Sequence, residues 1–349
     1  MKNTFYFLFL AAIALAGCKK DRDPVVAPVV AKLPYENGAI KIELAATSLP
    51  VWIQAVCFTN AAIGLASTYD GKIYKTSDEG KTWTLRYTAT STANLPLVQI
   101  LFTSANIGYV VGGSLSCNGA GCLPPGGLIL KTTDGGTTWA VAYQASNVKI
   151  TSLAVNNLGE LLAISADTNA RILKSTDAGA TWAAVATFPY QLNKIAFDRN
   201  QGYCVGATGK ILKSTDNGTT WTEVAVNFTY PYLNELAFST GIGFCATGYS
   251  QVYKTTDNGV SWAPTPQSHF STQVINALTP GSCLVFGGGR YSGGDFGTFD
   301  GSCRQSVDGG NSWSEIELSD ISPIYYSSFY TPRNGYAVAG TSLLKVTVK

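Results

Sequence analysis

ILKSTDNGTTW, Ile211 to Trp221, is nearly repeated as ILKTTDGGTTW ending at Trp139 and as ILKSTDAGATW ending at Trp182. Aligning the chain on this phrase finds six copies of [ST]-x-D-x-G-x-x-W: 76–83, 132–139, 175–182, 214–221, 255–262 and 306–313. Their aspartates are Asp78, Asp134, Asp177, Asp216, Asp257 and Asp308, and their tryptophans Trp83, Trp139, Trp182, Trp221, Trp262 and Trp313. Upstream of each copy lies a hydrophobic run, a Gly and a second run, as in KIAFDRNQGYCVGA. This upstream element occurs seven times, anchored at Phe58, Phe102, Val155, Phe197, Phe238, Leu278 and Phe329, with spacings of 40 to 53 residues. Such a period is that of one four-stranded propeller blade.

The phrase has a structural reading at each position. Lys210 to Lys213 alternates polar and apolar residues as a half-buried strand does. The Asp accepts backbone N–H groups across a tight turn, the Gly two residues on takes positive φ, and the Trp starts the next strand with a ring large enough to fill the wedge between blades. The seventh unit has no such phrase and stops one strand short, which would leave an open edge. Ala39 to Leu44, AIKIEL, precedes the first unit and supplies the missing strand. The expected fold is therefore all-β, a seven-bladed β-propeller over 39–349 whose last blade is closed by an N-terminal strand.

The repeats resemble the Asp-box, or BNR repeat, of sialidases, sortilin-type receptors and the photosystem II assembly and stability factor family. The resemblance covers nearly the whole chain after residue 38. It implies a propeller in which the box lies away from the binding or active face, and for the assembly factors it implies a chaperone-like role.

Composition agrees with this fold and narrows the partners. The 349 residues are 46% hydrophobic and 13% charged, with 36 Gly and a single Met. Lys and Arg number 24 against 22 Asp and Glu, so there is no basic excess to neutralise phosphates and nucleic acid is not an expected partner. At the N-terminus, Lys2 precedes an apolar stretch from Phe5 to Ala16, too short to span a bilayer, which ends in Leu15-Ala16-Gly17-Cys18. That ending matches the bacterial lipobox, implying a signal peptide over 1–17 and a lipidated Cys18. Residues 18–38, with Pro24, Pro28 and Pro34, read as an extended tether. The Lys20, Asp21 and Asp23 cluster resembles the surface-export signal of Bacteroidetes-type lipoproteins. The expected location is the cell envelope, anchored in the outer membrane and facing either the periplasm or the cell surface, and the expected state is a monomer.

Catalytic constellations are sparse. The one histidine, His269, falls in a connection between blades, and one loop residue makes no triad. A sialidase site needs three arginines converging on a carboxylate. By blade topology Arg199 and Arg333 lie on the box side and Arg171 and Arg304 at third strands, leaving only Arg86 and Arg290 to reach the other face. A glycosidase using two carboxylates would draw on Glu235, Asp295 and Asp300. Cys204, Cys245 and Cys283 recur at one position of second strands and read as small buried residues. Cys117 and Cys122, in SCNGAGCLPPGG, are placed to staple a coreless loop as a disulfide. Two cysteines without a nearby His make a poor zinc site, and neither a metal nor a cofactor is expected.

Binding is the expected class, on the face opposite the boxes. Two long Gly-rich hairpins, Gly112 to Leu128 and Gly287 to Ser302, reach that face from the second and sixth blades. The second carries Arg290, Tyr291, Asp295, Phe296 and Phe299, and the connections bearing Tyr230, Tyr232, Tyr325 and Tyr326 add aromatic surface. The expected function is a non-enzymatic, lipid-anchored binding or assembly scaffold for a protein or glycan partner, with a carbohydrate-active propeller as the alternative.

Overall fold

The computed structural model describes residues 35–36, 39–46, 49, 53–89, 95–114, 126–166, 169–226, 228, 232–247, 251–266, 271–292, 298–318 and 321–349, with the backbone alone at 271, 289–292, 298, 299 and 317. Its strands form seven antiparallel sheets. Six are four-stranded blades, made of residues 53–88, 97–146, 149–188, 192–224, 233–264 and 271–318 in chain order. The seventh blade consists of Ile324–Thr331, Asn334–Ala339 and Ser342–Val348, completed by the strand Ile40–Ala46. Each first strand touches the first strands of the blades on either side, and the seventh touches the first, so these strands form a closed ring around a channel. The chain is a seven-bladed β-propeller.

Closure works as the sequence suggested. Ile40–Ala46 runs antiparallel to Ser342–Val348, from the pair Ile40 and Val348 to the pair Ala46 and Leu343. Tyr35–Glu36, placed with the tether on sequence grounds, pairs with this strand as a short fifth member of the sheet.

The core is not one cluster but seven, each lying between two adjacent blades. Ile211 packs between the fourth and fifth blades with Tyr203, Leu233 and Cys245, whereas the adjacent Leu212 packs between the third and fourth with Leu162, Ile195 and Cys204. Both side chains are fully buried, so this strand is covered on two faces rather than half-buried as its alternation suggested. Neighbouring blades bury both sides of the inner three strands, and each fully buried Leu, Ile or Phe contributes about 1.5–3 kcal/mol. Cys204, Cys245, Cys283 and Cys303 are free thiols buried in these interfaces, and burial pushes each of their pKa values up.

The repeated turn joins the third strand to the fourth in six blades. In the fourth blade the Ser214 hydroxyl donates to Asp216 at 2.8 Å and accepts from the Gly218 N–H at 2.8 Å. The other Asp216 oxygen accepts the Thr220 hydroxyl at 2.7 Å, and the Thr220 N–H also reaches the carboxylate at 2.9 Å. The same pattern recurs around Asp78, Asp134, Asp177, Asp257 and Asp308. Sequence reasoning assigned positive φ to the glycine alone, but the preceding residue is also left-handed, with Asn217 at 58°, Ala178 at 57° and Glu79 at 64°. The tryptophan lies in the cluster shared with the preceding blade, and its ring meets an aromatic ring edge-on, as Trp221 meets Phe197 at 6.2 Å between centroids and Trp182 meets Tyr143.

Each turn is also held by a lysine from the preceding blade. Lys75, Lys131, Lys174, Lys213 and Lys254 donate to Thr137, Ala178, Asn217, Asn258 and Asn311 at 2.7–3.1 Å. Lys345 of the seventh blade reaches Glu79 in the first at 3.3 Å. The corresponding residue of the sixth blade is Gln305, and the seventh blade that follows has no such turn for a lysine to hold.

The aspartates of these turns lead to an expected loss of stability in acid. Hydrogen bonds from the Thr82 and Thr181 hydroxyls first, and then from backbone N–H groups, hold Asp78 and Asp177 at about 2. At Asp216 and Asp257 burial pushes upward but is outweighed by bonds from Thr220 and Ser261, and both again stand at about 2. Asp134 and Asp308 are lowered as well. A carboxyl depressed in the folded state contributes stability that is complete above its unfolded value of about 3.9 and is lost as pH falls through the folded value. Urea midpoints measured from pH 7 down to 2 should fall most steeply between pH 4 and 2. A flat midpoint across that interval would show that the turns do not carry this linkage.

Candidate functional site

All seven first strands carry a β-bulge near their start. The register shifts between Ile53 and Ala55, Leu97 and Gln99, Ile150 and Ser152, Leu192 and Lys194, Leu233 and Glu235, Thr272 and Val274, and Ile324 and Tyr326. The residues set out of register are Gln54, Val98, Thr151, Asn193, Asn234, Gln273 and Tyr325, one per blade and six of them polar. Because strand starts lie at the end of the channel away from the repeated turns, the bulges form a ring at that mouth. A bulge re-aims its side chain at the cost of a ladder hydrogen bond, and bulges concentrate beside functional sites.

Just inside the ring lies a cavity of about 360 Å³. Gln54, Val98, Gln273 and Tyr325 line it from the bulges, and Gln99, Lys194, Glu235 and Tyr326 from the next layer. Lys194 of the fourth blade and Glu235 of the fifth form an ion pair at 3.1 Å. Burial pushes the Glu235 pKa up, opposed by the charge and hydrogen bond of Lys194. Gln99 is committed to the scaffold, donating to the Leu153 carbonyl at 2.7 Å and accepting from the Leu153 N–H at 2.8 Å. Asn193 bridges in the same way to the Leu233 carbonyl at 2.9 Å. Tyr325 is 48% exposed, and desolvation raises the pKa of the more enclosed Tyr326.

The residues expected on this face divide into three groups. Tyr325 and Tyr326 belong to the first strand of the seventh blade rather than to a connection, so they line the channel instead of lying over it. Arg290, Tyr291 and Phe299 are on strands, not in a loop. The sixth-blade hairpin extends as a ladder in which Tyr291 pairs with Phe299, because an additional bulge after Gly288 lets the two strands continue beyond the blade. Tyr232, 51% exposed, remains in the connection between the fourth and fifth blades. Cys18, Cys117, Cys122, Tyr230, His269, Asp295 and Phe296 lie outside the described residues.

Among the described residues, the carboxylates and arginines singled out for catalysis do not converge. Glu235 is the only acid among the described residues that line the cavity, and Asp300, in a third strand, is not one of them. Arg86 is exposed on the outer strand of the first blade, and Arg304 is paired with Glu315 at 2.8 Å. Among the described residues no group of three His, Cys, Asp or Glu side chains is arranged to hold a metal. The bulged ring escaped sequence reading because a bulge is a property of strand pairing.

Seven blades in a closed ring, repeated turns on one face and a polar channel mouth on the other define the class, a β-propeller with its open site opposite the turns. Within it, residues 166–283 match the family model described as photosynthesis system II assembly factor YCF48. No curated protein matches the sequence. The solved structure of YCF48 bound to D1 peptide is similar with a TM-score of 0.65 at 16% identity, covering 90% of this chain and 98% of that one. A GH74 xyloglucanase from Xanthomonas campestris gives 0.64 at 17%, covering 87% of this chain and 53% of the enzyme. Streptogramin B lyase gives 0.65 at 11%, covering 89% and 98%. At these identities the likeness establishes the fold, which binding proteins and enzymes share.

Proposed function

We propose that this propeller is a non-enzymatic binding or assembly scaffold, anchored through a lipidated Cys18 in the bacterial cell envelope and acting as a monomer on a protein partner. The observation that carries the reading is the match of residues 166–283, in the middle blades, to a family described as an assembly factor. A propeller of that description has been solved with a peptide bound, which supports a polypeptide as the partner. Tyr232, half-exposed in the connection between the fourth and fifth blades, is an aromatic of the kind that dominates interfaces, and the extended sixth-blade hairpin carries Arg290 and Tyr291 in its sequence.

Affinity capture from envelope membranes with the full chain tests this. The chain should retain a specific protein, and Tyr232→Ala, Arg290→Ala or Tyr291→Ala should weaken it by about 2 kcal/mol or more while leaving the melting temperature unchanged. Equal retention by all three variants would place the partner elsewhere. The second reading, a carbohydrate-active propeller, is favoured by Glu235 in the cavity and by the resemblance to GH74 enzymes. Turnover of a chromogenic glycoside panel that is abolished by Glu235→Gln would establish it in place of the scaffold.

A further inference from the structure

The geometry points to the channel mouth as a binding site for a neutral saccharide unit, held between the Tyr325 ring and the carboxamides and ion pair beneath it. This rests on the reading that the face opposite the repeated turns binds, and it names the chemistry the mouth itself selects.

Three features of the lining lead there. The site is neutral overall: its one cation and one anion, Lys194 and Glu235, are bonded to each other at 3.1 Å. Among the described lining residues a charged ligand finds no unpaired counter-charge, and gains one only by breaking that pair. The lining also carries the carboxamides of Gln54 and Gln273 and the hydroxyls of Ser327, Tyr325 and Tyr326, groups that both donate and accept. Sugar hydroxyls also do both, so each can be matched whichever way it turns. Finally, the half-exposed Tyr325 ring offers an apolar face at the rim, as the C–H face of a pyranose requires, and about 360 Å³ accommodates one ring-sized unit.

A bound polypeptide strand would use the lining differently. It needs a row of backbone donors and acceptors along an open edge. Here the mouth presents side chains from six blades around one point, which suits a compact ligand with hydroxyls on every side.

Ligand-observed NMR titration of the full chain tests the proposal with glucose, galactose, mannose, N-acetylglucosamine and cellobiose, against glucosamine and N-acetylneuraminate as charged comparators. At least one neutral sugar should bind about tenfold more tightly than either charged one. Tyr325→Ala should weaken it by about tenfold or more, and Tyr325→Phe should retain most of the affinity because the ring is kept. Arg86→Ala, on the outer strand of the first blade, should change nothing. Because Tyr325 is half-exposed, its replacement should leave the melting temperature intact, which separates lost binding from lost folding. Absence of binding by every neutral sugar, equal binding of the charged comparators, or unchanged affinity in Tyr325→Ala would each overturn the proposal. If the sugars fail while the full chain still captures a protein through Tyr232 and Arg290, only this inference falls. Should sugars bind while no protein is captured, the scaffold reading falls instead.

Discussion

Deleting Ile40–Ala46 should abolish cooperative folding of the whole propeller, not merely loosen one blade. The strand contributes Ile40 and Ile42, both fully buried, to the interface between the sixth and seventh blades. Ala45 and Ala46 pack into the interface between the seventh and the first. Its removal therefore opens two of the seven clusters and exposes the edge of Ser342–Val348. Two isoleucines alone are worth about 3–6 kcal/mol, against a typical domain stability of about 5–15 kcal/mol. The lost ladder and the second opened interface take most of the rest. Deleting 19–31, within the segment read as a tether, should leave the melt unchanged. Equal melting temperatures for the two deletions would disprove closure by this strand.

The second large effect is expected at the glycine of the repeated turn. Gly218 has φ of +79°, and an added Cβ would overlap Leu162 Cδ2 of the preceding blade and touch the Phe197 ring at 3.0 Å. Leu162 is fully buried, so its methyl has little room to retreat. Gly218→Ala should cost about 1–2 kcal/mol for the left-handed backbone and a further 1–3 kcal/mol, roughly, for overpacking. Gly159 is the internal control, because its φ is +78° but nothing lies within 4 Å of a Cβ there. Gly159→Ala should show the backbone cost alone. Chemical denaturation of both variants gives the difference directly, and equal losses would mean that the turn does not work as a blade-to-blade contact.

Both predictions turn on one arrangement. The repeated phrase is written within a single blade, yet its glycine, its tryptophan and the lysine ahead of it act between blades. This explains why the phrase recurs without assembling any chemistry. Asp216 and Ser214 shape the turn locally, Gly218 and Trp221 seat it against the preceding blade, and Lys174 of that blade bonds it from outside. The turns are thus committed to architecture, and the bulged ring lies at the opposite end of the channel.

The sequence by itself determined the blade count, the six turns with their aspartates and tryptophans, and the identity of the closing strand. Those features are local: a turn needs a carboxylate and a glycine at fixed spacing, and a missing strand shows as a missing repeat. Five of the lysines that hold the turns stand before the Ser or Thr of a phrase, whereas the sixth, Lys345, belongs to the seventh blade, which has no phrase. Only the tertiary structure decided the site. Tyr325 and Tyr326 read as a connection because nothing in a linear run of aromatics marks a strand start beside a channel. Glu235 read as a candidate glycosidase carboxylate alongside Asp295 and Asp300 because its partner Lys194 is 41 residues away, one blade back. The ring at the mouth takes one residue from each of seven blades through a bulge in each first strand. A bulge depends on how two strands pair, and a ring on how seven sheets close, so neither has a local signature in the chain.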